Sequence, residues 1–189
     1  MYCQAPYNYC MTREFPPGIR YDSEGSGDLV LDVPNPGIQA FGLDDVLLQP
    51  SDMYPCALVP VRDLAAGNPE AEEHILAAAS SRLAEVPVSF HKFTKELYVC
   101  RQRTDGVEHT NVIGVIQLVG LITLQLALQE DGVPPFTTLF PHITILRSAP
   151  HHDIRISSTG DLTALCRPRR DLFGAIFADV SANQIAQDL

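Results

Sequence analysis

The stretch FPHITILR, residues 140–147, places a proline and a histidine ahead of a run of branched and apolar residues. Such a run reads as a β-strand. On a pleated strand His142 and Thr144 project from one face, so an imidazole and a hydroxyl stand side by side, a pair able to grip a phosphate. Arg147 lies one strand period beyond Ile145, on the face opposite Thr144, and is expected at the rim of any groove.

The elements around this strand follow from periodicity and turn chemistry. Before it, NVIGVIQLVGLITLQLALQ, residues 111–129, reads as a strand end running into a buried helix from about Gln117 to Glu130, closed by Gly132 and the following prolines. Earlier, VSFHKFTKELYVC and HTNVIGVI flank RQRTDGVE, whose Asp105-Gly106 pair signals a hairpin. The clearest helix is NPEAEEHILAAASSRLAEV. Asn68 caps it, Pro69 takes its first position, and Glu70, Glu72 and Glu73 lie at the positive end of its dipole. Its residues Ile75, Leu76, Ala79 and Leu83 fall at helical spacing and should face a sheet.

CALVPVRD, from Cys56, has the length and branching of a buried strand, and Leu29 to Val33 reads as another. IQAFGLDDVLLQPSDMYP shows no pattern that assigns it. After the FPHITILR strand, HHDIRISS alternates like a strand, DLTALCRPRRD is ambiguous, and LFGAIFADV looks like a buried strand. Residues 1–27 are rich in Tyr, Pro, Gly and Ser and are expected to form an irregular leader; residues 28–189 form a single domain. Helices packed on the outer faces of a mostly antiparallel sheet, an α+β class, are the expected architecture.

Composition narrows the function. A chain of 189 residues with net charge −10 is poorly suited to capturing nucleic-acid backbone over a broad surface, though a small nucleotide or one RNA end can still occupy a local pocket. Its five cysteines, at 3, 10, 56, 100 and 166, form no CxxC pair, so neither a zinc ribbon nor a complete disulfide framework is indicated and a reducing, cytoplasmic setting is expected. No secretory signal is read at the N-terminus, and polar and glycine positions interrupt the long apolar segment, so no membrane association is expected. The P-loop, dinucleotide fingerprint, nucleophile elbow and zincin motifs are absent.

The order strand, helix, hairpin, helix, strand from Tyr54 to Ser148, together with Pro141, His142, Ile143, Thr144, Ile145 and Arg147, resembles the two-histidine (2H) phosphoesterase superfamily, which includes RNA-ligase-like proteins and cyclic phosphodiesterases. The resemblance implies a bilobed α+β fold with two H-x-[ST] motifs lining one groove. One histidine would activate water and the other protonate the leaving oxygen, while the hydroxyls hold phosphate oxygens; no metal or other cofactor is implied. The later motif is intact. The earlier should fall in MYPCALVPV, which holds no histidine: Pro55 or Cys56 takes the imidazole's place, and Ala57 or Leu58 the hydroxyl's.

The partner of His142 is therefore open among Cys56, His91 and His109. His91 has its threonine three positions on and His109 has one adjacent, each on the opposite face, so neither reproduces the motif. Free cysteine is among the most buried side chains, which favours Cys56 as a core residue. His74 reads as surface, and His151 and His152 as a solvated turn with no zinc spacing. Arg167, Arg169 and Arg170 in CRPRR could meet a phosphate but read more simply as a basic surface turn.

The leading expectation is a metal-independent phosphodiesterase acting on a cyclic phosphate or phosphodiester of a small nucleotide or RNA end, with His142 as acid/base and Thr144 holding phosphate. Its alternatives are a degenerate member that binds a nucleotide or protein partner without turnover, and an interaction protein whose tyrosine-rich leader docks a partner.

Overall fold

The computed structural model describes residues 14–136, 141–149, 154, 156 and 159–185. Its first strand lies inside the expected leader. Ile19–Tyr21 (β1) runs antiparallel to Leu29–Pro34 (β2), and the Tyr21 hydroxyl donates to Glu72 at 2.7 Å. The segment that showed no sequence pattern is a hairpin, Phe41–Leu43 (β3) and Val46–Leu48 (β4), turned by Asp44 and Asp45 at φ 48° and 65°. Aspartate is one of the few non-glycine residues that enters this left-handed region readily, and a two-residue turn of this hand matches strand twist. Met53–Val59 (β5) then pairs with β2, completing a three-stranded antiparallel sheet in the order β1-β2-β5.

A short helix, Val61–Ala65 (α1), leads to Pro69–Glu85 (α2), where the Asn68 side chain accepts from the backbone N–H groups of Glu70 and Ala71. Ile75, Leu76, Ala79 and Leu83 are buried as their spacing required. Each fully buried branched aliphatic chain stabilises by about 1.5–3 kcal/mol relative to exposure.

Ser89–Thr104 (β6) and Val107–Val119 (β7) form the hairpin expected at Asp105-Gly106, with φ 51° and 80° at the turn. The second helix begins later than its apolar run implied: β7 continues through Val119 opposite Ser89, Gly120 turns at φ 84°, and the helix is Leu121–Glu130 (α3). Sheet pairing claimed residues 117–119 because alternating and helical burial are indistinguishable in a run this apolar. Arg82 of α2 donates twice to the Asp131 carboxylate, both at 2.6 Å, and joins the ends of α2 and α3.

His142–Arg147 (β8) pairs antiparallel with β7. Beyond it come Thr159–Leu165 (α4), Cys166–Pro168 (β9) against β6, a 3-10 turn at Arg170–Leu172 and Phe173–Ile176 (α5). The four-stranded sheet has the order β8-β7-β6-β9. LFGAIFADV is thus a single helical turn, Phe173–Ile176, followed by a turn, rather than a strand: Phe173, Ile176, Phe177 and Val180 pack on the core, with Phe173 and Phe177 stacked at 4.5 Å. HHDIRISS falls largely outside the described residues, although Ile154 and Ile156 are buried. The tyrosine-rich start of the leader, with Cys3 and Cys10, also lies outside them.

The class is α+β with antiparallel sheets. One core joins Tyr54 and Leu58, Ile75 and Leu83, Phe93 and Leu97, Ile116, Leu124, Ile143 and Ile145. A smaller cluster of Cys100, Ile113, Ile154, Ile156 and Cys166 lies on the other face of the four-stranded sheet. It corrects the cysteine reading, because Cys100 and Cys166 face one another on β6 and β9 and form a disulfide. Their pairing depends on sheet register between residues 66 apart, which no local spacing reveals. Among the described residues no helix is long and apolar enough to cross a membrane.

Candidate functional site

His142 and Thr144 occupy β8 as their alternation required, both half-buried, while Ile143 and Ile145 between and beside them enter the main core. His142 pairs with Val115 and Thr144 with Ile113, so the imidazole and hydroxyl stand on the face that carries the disulfide cluster.

After Thr144 a bulge shifts the facing of the remaining β8 side chains. The register passes from Ile113↔Thr144 to Val112↔Leu146, leaving Ile145 without its own partner, and both Ile145 and Leu146 join the main core. Arg147 then pairs with Asn111, two residues from Thr144's partner, and the register returns it to the face of Thr144. This overturns the alternation that set Arg147 on the opposite face. Its backbone also exchanges two hydrogen bonds with Gln49, at 2.9 and 3.0 Å, which ties β8 to the chain just beyond β4.

The three candidate partners for His142 are placed very differently. Six positions along β7 separate His109 from Val115, roughly 20 Å at a strand's rise per residue. His91 is exposed on β6 at the bulge between Phe90 and Lys92, level with the end of β7 and two strands from β8, which sets their backbones more than about 10 Å apart. Neither shares a cross-strand neighbour with His142.

Cys56 does meet it. The side chain is 1% exposed on the inner face of β5 between Tyr54 and Leu58, both also fully buried, whereas Pro55 and Ala57 face outward. Its thiol donates to the Ala57 carbonyl at 3.8 Å. Burial pushes the thiol up to about 12, and a backbone hydrogen bond from His142 opposes that only in part. The protonated, enclosed sulfur is a core group beside the main chain of His142, not a proton donor facing its ring.

A second constellation lies on the other face of the four-stranded sheet. A pocket of about 380 Å³ is lined by Asp44, Val99, Arg101, Ala164, Leu165, Arg167 and Arg169, and contains neither His142 nor Thr144. Arg101 pairs with Asp44 at the tip of the β3–β4 hairpin. Arg169 grips Asp171 at 2.8–3.1 Å, which holds its guanidinium above the usual range. Arg167 donates to the carbonyls of Thr163 and Cys166, at 2.9 and 2.8 Å. Arg170 of the same basic run turns elsewhere, to Glu96 at 2.7 Å. Sequence reasoning weighed Arg167, Arg169 and Arg170 together as a basic turn and missed Arg101 and Asp44, because only the register that pairs Cys100 with Cys166 brings Arg101 and Arg167 to one pocket.

Among the described residues no three His, Cys, Asp or Glu side chains converge to hold a metal. No family model, curated protein or solved structure matches the chain.

Proposed function

We propose that the chain is a 2H-like protein that binds the phosphate of a small nucleotide or RNA end through His142 and Thr144 and has lost the hydrolytic half of the site. On this reading the three-stranded and four-stranded sheets are the two lobes, with β5 and β8 as the motif strands. The observation that carries it is Cys56: where the resemblance needs a second acid/base group, there is a thiol 1% exposed and pushed up to about 12. In-line cleavage needs a base for the nucleophile and an acid for the leaving oxygen at once, and one imidazole supplies one of them. Thr144 remains beside His142 to donate its hydroxyl hydrogen to a phosphate oxygen.

A phosphodiesterase is the second reading, favoured by the half-buried rather than sealed state of both His142 and Thr144. One experiment separates the two. Titration of adenosine 2′,3′-cyclic phosphate in EDTA, followed by calorimetry and phosphorus NMR, is expected to give binding without product, with binding lost in His142→Ala and Thr144→Val. Product that disappears in His142→Ala would establish the enzyme instead. Absence of binding would reject both.

A further inference from the structure

We infer that the arginine-lined pocket between β6, β9 and the β3–β4 hairpin is a separate binding site for a phosphate monoester of about mononucleotide size. Three arginines, Arg101, Arg167 and Arg169, line it with one carboxylate residue, Asp44, in a chain whose net charge is −10, and of the three Arg169 is also held by Asp171. Local positive charge of this kind is what an acidic protein needs to admit an anion. Planar guanidinium forks match the oxygens of a phosphate, and the Val99, Ala164 and Leu165 side chains offer an apolar wall for the body of the ester. The volume of about 380 Å³ falls within the range of small-molecule sites.

Two features show how the site is built. The first is its staple: Val99 pairs with Arg167, and Cys100 with Cys166, so the disulfide on one face of the sheet holds β9 in the register that presents Arg167 beside Val99 on the other. A three-residue strand has few hydrogen bonds of its own with which to keep that place. The second is Asp44. Its carboxylate sits on Arg101, and its charge also reaches Arg169, so it occupies the position an incoming phosphate would take. Arg167, whose Nη1 donates to carbonyl oxygens among the described residues, keeps its other nitrogens as donors for the ligand. The phosphate engages Arg167 first and displaces Asp44 from Arg101.

The test is calorimetric titration of adenosine 5′-monophosphate, inorganic phosphate and succinate into the full chain at low salt. In a His142→Ala background, which removes the site proposed above, adenosine monophosphate is expected to bind at one equivalent, more tightly than inorganic phosphate, and to weaken as salt is added. Arg167→Gln should weaken it about tenfold, the loss of one charge-assisted contact. Asp44→Asn should tighten it, since asparagine keeps the left-handed turn but removes the competing charge. The Arg167→Gln and Asp44→Asn effects should be the same whether His142 is intact or replaced, which separates this site from the one proposed above. Circular dichroism and melting of each variant establish that it is folded. No binding of adenosine monophosphate, equal affinity in Arg167→Gln, tighter binding of succinate, or weaker binding in Asp44→Asn would each overturn the assignment.

Discussion

The main chain of His142 hydrogen-bonds the sulfur of Cys56, joining β8 to β5. The contact seals the thiol rather than exposing it.

That enclosure sets a pH dependence. Folding raises the Cys56 pKa from an ordinary 9.0 to about 12, so above pH 9 the unfolded chain sheds a proton that the folded chain keeps. The contribution of Cys56 to stability is therefore constant below about pH 9 and falls as pH rises from there toward 12. Chemical denaturation across this window should show a steeper loss in the parent protein than in Cys56→Ala. In the native state at pH 8 the thiol should resist iodoacetamide, with peptide mass spectrometry finding it alkylated only after unfolding; rapid native labelling would contradict the burial.

Gly120 is expected to tolerate no side chain. Its φ is 84°, and a Cβ there would approach the Pro87 carbonyl oxygen to 2.3 Å, a clash with backbone that no rotamer relieves. Gly120→Ala should destabilise by at least about 1–3 kcal/mol, read from urea denaturation midpoints. A neutral result would mean that the junction of β7 and α3 relaxes freely.

The Cys100–Cys166 link closes a loop across 66 positions. On the chain-entropy account such a loop contributes about 4 kcal/mol. Non-reducing peptide mapping should recover the two cysteines in one linked species, and Cys100→Ser with Cys166→Ser should lower the denaturation midpoint by a corresponding amount. Recovery of both as free thiols would remove the staple.

Much of this molecule could be read locally. The α2 cap at Asn68, the buried stripe from Ile75 to Leu83 and the Asp105-Gly106 turn all appear where their patterns place them, because each depends on contacts within a few residues. The same local rules failed where two periods fitted one apolar run, as at residues 117–119, or where a single helical turn lay hidden among bulky residues, as at Phe173–Ile176. The pairing of His142 and Thr144 on one face was legible for the same reason that α2 was, since alternation is a property of the strand itself.

By itself the sequence determined the α+β class, the main helix, the long hairpin and the histidine strand, all products of short-range periodicity and turn chemistry. Only the tertiary structure decided that Cys56 turns inward, that a bulge at Ile145 returns Arg147 to the face of Thr144, and that Arg101 meets Arg167 and Arg169 around one pocket. Those outcomes depend on sheet register between distant strands, which is set by the fit of a shared core rather than by any residue's neighbours in the chain.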